Sequence, residues 1–452
     1  MHITRRQFVG AAALAVGTSG PLDFWTPGPL DQSVRPRPTP AQLRWQRDEL
    51  ALFIHFGVNT FTDREWGDGK ESPSIFAPSA LDCAQWARAA KAAGFRTLIL
   101  TAKHHDGFCL WPTRTTSHSV VSSPWRAGGG DLVREFVTAC RDHDLGAGLY
   151  LSPWDRNHPT YGDSDRYNDV YIAQLTELLT NYGPLVEVWF DGANGEGPNG
   201  KRQVYDWPRV WSTVRRLQPD AVMFSDAGPD VRWSGNEAGT AGDPNWSTVD
   251  PARVPAPGVS GPGVIDALQH GDRHGTIWRP AECDTSIRPG WFYHPAEDAR
   301  VKSVDRLAQL YVLSVGRNSK LLLNVPPSPQ GLLHATDVER LSAMHDRRRR
   351  MFDENLVANR PFTGEVALSR SAPLEWLRLE EDISRGQSVA QYVASGYDGQ
   401  EWLPLAQGST IGYAKIDAVL ETRPISRVRV QVTNAAGTPG PLRVSAFPKR
   451  AQ

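Results

Sequence analysis

The sequence has 452 residues, of which 40 % are hydrophobic and 22 % are charged, a composition typical of a globular protein large enough for more than one domain. Its formal net charge of −1 argues against a protein that binds nucleic acid or an anionic membrane surface. Sixteen tryptophans are many for this length. Many of them must belong to a core, but indole faces also pack against sugar rings and so favour a carbohydrate ligand.

The first 35 residues have the features of an export signal followed by a spacer. In "MHITRRQFVGAAALAVGTSG", Arg5 and Arg6 precede a short run rich in alanine and valine, which predicts a twin-arginine signal. An arginine pair near a start methionine can also be accidental. The following "TPGPLDQSVRPRPTP" is rich in proline. We therefore expect residues 1–35 to direct secretion or periplasmic export, and since no later segment has about 18 uninterrupted apolar residues, we expect no membrane span.

Residues 36–355 alternate between strand-like and helix-like patterns. "DLVREFVTACRDHDLG", with Asp131 as a candidate N-cap, and "NDVYIAQLTELLTNYG", which ends at Gly183, have helical periodicity. Apolar strand-like runs lie at 50–58, 97–105, 146–154, 185–193, 221–228, 276–284 and 320–328. Strands that are apolar throughout and separated by helices form parallel sheets covered on both faces. These seven runs, one fewer than the eight strands of such a barrel, predict an α/β fold, a (β/α)8-like barrel.

The pattern changes in residues 356–452. Stretches such as "SVAQYVASGYDGQEWLPLA" alternate apolar and polar residues and are interrupted by turn residues, which predicts a C-terminal antiparallel β-sandwich. The four cysteines of the chain are scattered without a CxxC pair. This excludes a disulfide scaffold and a zinc knuckle, and leaves one isolated disulfide open.

Polar residues stand where the predicted barrel strands end. They are His55, His104, His105, Tyr150, Trp154, Asp155, Asp191, Asp226, Glu282 and Asp284. In a barrel of parallel strands these ends meet at one mouth, which is where the active sites of such barrels lie. No GxGxxG or GxxxxGK[ST] motif follows a predicted strand, which argues against a dinucleotide or P-loop site.

The adjacent His104 and His105 in "AKHHDGF" allow three interpretations. Neighbouring residues of a strand point to opposite faces, so one of them could be a core histidine unless the strand ends first. A metal site is disfavoured because His55 stands alone in "IHFG" and neither HxH nor HExxH occurs. In the third interpretation, neutral imidazoles exchange hydrogen bonds with the hydroxyls of one small polar ligand, which suits a sugar.

Two carboxylates could supply a reaction. Asp191 ends the apolar run "VEVWFDGA", and Glu237 lies among small residues in "RWSGNEAG". Asp191 could merely cap the next helix. Facing each other across a sugar, however, two carboxyl groups are what glycosidic hydrolysis needs: one attacks or activates water, and the other protonates the leaving oxygen.

Seven motifs in order resemble one enzyme family. They are "LFIHFG", "REWGDG", "AKHHDGFCLW", "VWFDGA", "RWSGNEAG", "WRPAECDTSIRPGWFYH" and "LLLNVPPSPQG", and they are similar to the α-L-fucosidases of glycoside hydrolase family 29, closest to the branch that cleaves α-1,3- and α-1,4-linked fucose. The resemblance covers about residues 40–350 and, more loosely, the sandwich. It implies a (β/α)8-like barrel followed by a β-sandwich, retention of anomeric configuration, and no metal or other cofactor.

The resemblance also assigns roles to residues. It implies that Asp191 is the nucleophile and Glu237 the general acid/base, with Glu282 of "PAECD" as the rival for the second role. The implied fucose-binding residues are His55, Glu65, Trp66, His104, His105, Tyr150, Trp189 and Arg232. Trp291, in "IRPGWFYH", is a candidate platform for the next sugar, with Arg288 beside it, although loop packing is an alternative role for this tryptophan.

We therefore expect a retaining, exo-acting α-L-fucosidase that acts on fucosylated oligosaccharides or glycoconjugates. The chemistry needs an ionised Asp191, for which we expect a partly solvated setting and a low pKa, and a protonated Glu237, whose pKa burial against Trp233 or the substrate should raise. A non-catalytic fucose-binding protein and a glycosidase for another sugar of similar stereochemistry are the alternatives. The sequence leaves the oligomeric state open.

Overall fold

The computed structural model describes residues 35–358 and 362–450. The predicted export signal with Arg5 and Arg6 therefore lies outside the described residues. Eight parallel strands close into a barrel: β1 (Leu50–Ile54), β2 (Thr97–Lys103), β3 (Gly146–Leu151), β4 (Glu187–Trp189), β5 (Val222–Ser225), β6 (Val231–Trp233), β9 (Ala281–Ser286) and β10 (Ser319–Asn324). Their order around the barrel is β1-β10-β9-β6-β5-β4-β3-β2. The predicted barrel fold is confirmed.

One barrel strand, β6, has no counterpart among the seven apolar runs. It has three residues, pairs with β5 and β9, and is too short to show an apolar run. A two-stranded antiparallel ribbon, β7 (Thr248–Val249) and β8 (Ile277–Trp278), lies between β6 and β9 along the chain.

Nine helices in the described part of the chain surround and close the barrel. They are α1 (Pro40–Arg47), α2 (Val58–Thr62), α3 (Cys83–Ala92), α4 (Leu132–Asp142), α5 (Ser164–Asn181), α6 (Trp207–Leu217), α7 (Pro262–His270), α8 (Val304–Ser314) and α9 (Ala335–Phe352). The Asp131 carboxylate accepts the Arg134 backbone N–H at the start of α4, as predicted for an N-cap. None of these helices combines the length and the apolar character needed to cross a membrane.

Helix α1 closes the barrel at the end where the strands begin. Its Trp45 is buried, and the indole Nε1 donates to Glu187 Oε2 inside the barrel at 2.8 Å. Gln42 donates from its amide to the carbonyls of Asp230 and Trp278. With this end closed, the mouth at the strand carboxyl ends is the remaining entrance to the barrel interior.

The C-terminal residues form two packed antiparallel sheets, as predicted. One contains β11 (Glu365–Ala372), β16 (Ile425–Ala435), β13 (Val389–Tyr397) and β14 (Trp402–Gly408), and the other β15 (Lys415–Ala418), β12 (Leu374–Glu381) and β17 (Leu442–Pro448). Glu49, which precedes β1, accepts hydrogen bonds from Arg378 and Tyr413 of the sandwich. These contacts lie far from the mouth, at the end of the barrel where β1 begins.

All four cysteines lie in the described residues. Cys83, Cys109, Cys140 and Cys283 are each buried and unpaired as thiols. The isolated disulfide that the sequence left open is therefore not formed in this structure.

Candidate active site

A cavity of about 470 Å³ opens at the carboxyl ends of the barrel strands. It is lined by Phe53, His55, Glu65, Trp66, His104, His105, Tyr150, Trp189, Asp191, Ala193, Glu237, Asp284 and Trp291. Ten of the twelve residues assigned above as catalytic or sugar-contacting groups line this pocket, and Arg232 and Arg288 are the exceptions. A larger cavity of about 880 Å³ lies at the closed end of the barrel around Trp45 and contains none of them.

Asp191 lies at the pocket floor just after β4, and its side chain is 29 % exposed. Its Oδ1 accepts the backbone N–H of Ala193 at 2.7 Å, and its Oδ2 accepts the hydroxyl of Tyr150 at 3.2 Å. Burial raises the pKa of Asp191, and the two hydrogen bonds oppose this rise. The low pKa expected from the sequence is therefore wrong, because the strand end lies deeper in the pocket than that expectation assumed.

Glu237 lies on the pocket rim, in the loop after β6, and its side chain is exposed. Its Oε2 accepts the indole N–H of Trp291 at 3.3 Å. Partial desolvation of the carboxyl by the pocket and the nearby charges of Asp191 and Glu65 raise the pKa of Glu237, while the Trp291 hydrogen bond opposes the rise. The direction agrees with the prediction. The partner differs, because the Trp233 indole donates to Asp284 instead.

Both adjacent histidines face the pocket because the strand ends before them. Strand β2 ends at Lys103, and a turn closed by the Gly107 N–H to the His104 carbonyl follows. Gly107 has a φ of +83°, and a Cβ there would lie 2.4 Å from Asp155 Oδ1, so glycine is required. The turn brings the imidazole centroids of His104 and His105 to 4.1 Å from each other.

The hydrogen bonds of two histidines fix their neutral tautomers. The Ser152 hydroxyl donates to the Trp154 carbonyl, so it must accept from His105 Nδ1 at 2.7 Å. The Asn324 amide donates to the Trp291 carbonyl, which leaves its oxygen to accept from His55 Nδ1 at 2.8 Å. Burial lowers the pKa of His55 and of His105 to about 3. In both rings Nε2 is therefore a hydrogen-bond acceptor.

Aromatic rings form the walls of the pocket. The Trp189 ring packs against Phe53 and Tyr150 with centroids 5.1 and 5.3 Å apart, and it stacks on Phe224 at 4.1 Å. Trp66 is 59 % exposed at the rim and meets His105 edge-on. Such exposed indole edges and faces can contact the apolar side of a sugar ring.

Asp284 is a pocket carboxyl that was not assigned a catalytic or binding role from the sequence. It is buried on β9, and its Oδ1 accepts the Trp233 indole N–H at 2.8 Å. Burial and the charges of Glu237 and Asp191 raise its pKa well above the ordinary value. The alternation of side chains along "AECDTS" could have indicated it, because Glu282 and Asp284 point to the same side of the strand.

Glu282, the rival acid, lies deeper in the barrel and does not line the pocket. It is fully buried, and its Oε1 accepts the Trp189 indole N–H at 3.0 Å. Burial and the charge of Glu187 raise its pKa well above the ordinary value. Lys320 is buried nearby, with its Nζ 3.8 Å from Glu187 Oε2. Glu282 therefore supports the pocket floor from below.

Two predicted sugar contacts are wrong. Arg232 is fully buried and donates to the carbonyls of Leu268 and Arg279 and to Asn245 Oδ1. Side chains alternate along a strand, and in β6 the flanking residues 231 and 233 face the barrel interior. Arg288 is also fully buried, where it pairs with two aspartates, 298 and 337, and so cannot reach a sugar at the rim.

Comparison with known proteins gives one consistent result. A family model described as alpha-L-fucosidase matches residues 30–346. Alpha-L-fucosidase 1 of Arabidopsis thaliana is 49 % identical over 427 residues, which cover 85 % of this chain and 82 % of that protein. The crystal structure of a glycoside hydrolase 29 family member from an unknown rumen bacterium has 40 % identity and a TM-score of 0.86, covering 93 % of this chain and 78 % of that chain. The chain therefore belongs to glycoside hydrolase family 29 and is an α-L-fucosidase.

Proposed function

We propose that this α-L-fucosidase is a retaining, exo-acting enzyme that removes α-1,3- and α-1,4-linked L-fucose from oligosaccharides or glycoconjugates. The observation that carries the proposal is the pairing of a floor carboxylate, Asp191, with a rim carboxyl group, Glu237, in one pocket. Retaining glycosidases use two carboxyl groups in this way, one as nucleophile and the other as acid and then base.

Asp191 suits the nucleophile's role. Its two hydrogen bonds, from the Ala193 backbone and the Tyr150 hydroxyl, hold the carboxylate in one orientation at the pocket floor. They also stabilise its charged form against the effect of burial. In the first step an Asp191 oxygen bonds to C1 of the fucose while the glycosidic C1–O bond breaks.

Glu237 suits the acid/base role. Its raised pKa favours the protonated form, and its place on the rim puts it beside the leaving group rather than beneath the sugar ring. It gives its proton to the departing oxygen in the first step. In the second step it accepts a proton from the water that attacks C1 and releases Asp191, so that fucose leaves and the enzyme returns to its starting state.

The pocket walls provide groups that bind a deoxysugar. The Nε2 atoms of His55 and His105 accept hydrogen bonds from ring hydroxyls, and the pocket's aromatic walls contact its apolar faces. Glu65 uses three of its four lone pairs within the protein, which leaves one for a hydroxyl. A pocket closed at its floor admits only a terminal residue, which supports exo action.

The proposed preference for 1,3- and 1,4-linked fucose depends on residues at the rim of the pocket. Trp291 lies beside Glu237, where the sugar that carries the fucose must lie, and its indole offers a surface to that sugar or to its branch. Binding energy from such a neighbour can orient the reacting bond. Because Arg288 is buried, this proposal rests on Trp291 without it.

The test is a panel of fucosylated oligosaccharides with 1,2, 1,3 and 1,4 linkages, with the products followed by NMR spectroscopy. We expect faster release of fucose from the 1,3- and 1,4-linked compounds, and α-L-fucose as the first anomer observed. Initial release of the β anomer contradicts retention, and equal rates on all linkages contradict the preference. Faster release of a different sugar supports the alternative glycosidase, and binding without release of any sugar supports the non-catalytic alternative.

A further inference from the structure

Two loops meet at the rim of the pocket, and His294 joins them. The first, residues 63–66, follows helix α2, and the second, residues 290–294, follows strand β9. His294 Nδ1 lies 2.6 Å from Asp63 Oδ1, and His294 Nε2 lies 2.6 Å from Glu65 Oε1. The imidazole is therefore bound on both sides by carboxylates of the opposite loop.

This geometry requires a charged imidazole. A carboxylate oxygen only accepts hydrogen bonds, so both nitrogens of His294 must carry protons. Although burial lowers the pKa of His294, the hydrogen bonds and charges of Asp63 and Glu65 outweigh it and raise that pKa overall. On its own loop, Glu297 is engaged by the Gly290 N–H and Arg288 is paired with two aspartates. The two carboxylates thus dominate the charge around the ring.

Glu65 also binds the backbone of the loop 290–294, and so connects the His294 bridge to that loop. Glu65 Oε2 accepts the Trp291 N–H at 2.8 Å, and Oε1 accepts the Phe292 N–H at 3.1 Å. A Cβ at Gly290 would lie 2.4 Å from Glu65 Oε1, so the close approach depends on glycine at this position. The carboxylate holds two consecutive amides and the imidazolium at once.

The loop in turn holds the rim carboxyl group. The Trp291 indole N–H donates to Glu237 Oε2 at 3.3 Å. We propose that His294 is a positioning residue for the fucosidase reaction, which as an imidazolium fixes Glu65, and through it the Trp291 loop, so that Glu237 points at the glycosidic oxygen. This inference rests on the acid/base role proposed above for Glu237.

Loss of the positive charge has two physical effects. Glu65 then faces at most a neutral donor in place of a cationic one, so it loses the attraction of the ion pair, and its hold on the loop weakens. Its negative charge also becomes less compensated next to Glu237, whose pKa it already raises. The Glu237 carboxyl group is then less well oriented toward the glycosidic oxygen, and its proton is harder to transfer to that oxygen.

The kinetic test compares His294→Gln with His274→Gln, a change at an exposed histidine outside the pocket. Each enzyme is assayed on a fucosylated oligosaccharide and on an activated aryl fucoside, whose leaving group needs little protonation. We expect His294→Gln to lower kcat on the oligosaccharide about tenfold, a part of the roughly 10²- to 10⁴-fold contribution of a positioned general acid. The aryl fucoside should be affected much less, and the His274→Gln control should match the unaltered enzyme on both.

A second arm uses Asp63→Asn, a change at a side chain that is 67 % exposed. Removal of the Asp63 charge lowers the pKa of His294, so the imidazolium is lost at a lower pH. The alkaline limb of kcat/KM on the oligosaccharide should move to lower pH. The NMR signal of the His294 imidazole is identified by its absence from the spectrum of His294→Gln. In Asp63→Asn the titration midpoint of this signal should also move to lower pH. The shift of the alkaline limb carries the test if His294→Gln does not fold.

The outcomes separate this inference from the proposed function. Equal losses on both substrates would mean a merely structural role, and an unchanged kcat on the oligosaccharide would mean no role; either result overturns the inference. An unshifted alkaline limb and imidazole titration in Asp63→Asn overturn it as well. If Glu237→Ala keeps full activity on oligosaccharides, the acid/base proposal fails, whatever the NMR titration of His294 shows.

Discussion

The Tyr150 hydroxyl offers a precise test of the proposed two-step mechanism. It donates to Asp191 Oδ2 at 3.2 Å and is almost fully buried. Burial and the charge of Asp191 raise the pKa of Tyr150 well above its ordinary value, so the hydroxyl remains a donor at all working pH values. Replacement by phenylalanine removes this donor and keeps the ring that packs against Phe53 and Trp189.

The two steps should respond differently. In the first step the Asp191 carboxylate loses its charge to the new bond, so the Tyr150 donor gives this step no net help. In the second step the charge returns as the fucosyl ester breaks, and the donor stabilises it. A hydrogen bond to a charged group contributes about 1.5–3 kcal/mol. At 3.2 Å the bond is longer than the ~2.5–2.7 Å of strong O–H···O⁻ bonds, so we take about 1.5 kcal/mol, which corresponds to about tenfold in rate.

We therefore expect Tyr150→Phe to lower kcat on an activated aryl fucoside about tenfold, with a parallel fall in KM and little change in kcat/KM. Stopped-flow measurement should show a burst of aryl alcohol equal to the enzyme concentration, because the covalent intermediate accumulates. The acid limb of kcat/KM should move to higher pH, since the Tyr150 hydrogen bond lowers the pKa of Asp191. Tyr171→Phe is the matched control, because it removes a buried hydrogen bond to the Leu151 carbonyl outside the pocket. Unchanged kcat without a burst would refute the reasoning.

Three further predictions concern the catalytic carboxyl groups, the stability of the barrel and export. Asp191→Ala should lose several orders of magnitude of activity on every substrate. Glu237→Ala should lose most of its activity on oligosaccharides and much less on an aryl fucoside, and azide should restore turnover with formation of α-fucosyl azide. A β-fucosyl azide detected by NMR would contradict retention. Glu282→Gln should become more stable relative to the unaltered enzyme as pH rises above about 4.3. The reason is that burial raises the pKa of Glu282, so the folded protein keeps a proton that the unfolded chain releases. If the melting temperatures of the two proteins change in parallel with pH, Glu282 is not protonated in the folded enzyme. Replacement of Arg5 and Arg6 by lysine should leave precursor in the cytoplasm, and unchanged export by cell fractionation would remove the twin-arginine proposal.

The sequence predicted the barrel because its strands are buried on both faces. Seven apolar runs separated by helices were visible, and six of the ten polar residues named at their ends line one pocket, at the end of the barrel where the topology of parallel strands places them. The strand β6 was missed because three residues between two loops carry no period. Local patterns therefore predicted the fold and the end of the barrel that holds the candidate site, but not every element.

Side-chain direction was less predictable than position along the chain. Arg232 and Arg288 stand in motifs next to pocket residues, and both turn into the protein to satisfy buried carbonyls and carboxylates. Asp284 stands in the same motif as Glu282, and its position on β9, two residues further along the strand, places it in the pocket. The direction of a charged side chain is set by the groups that pair with it. These groups come from segments distant in sequence, such as Asp337 on helix α9.

The pKa values of the pocket depend on the same distant partners. Asp191 and Glu237 both have raised pKa values, but burial, hydrogen bonds and nearby charges contribute differently to the two. Burial at the floor is opposed at Asp191 by two donors, whereas at Glu237 the charges of Asp191 and Glu65 add to the effect of burial. The proposed acid, which must hold a proton, and the proposed nucleophile, which must not, can therefore coexist in one cavity, because donors converge on the floor and carboxylates surround the rim.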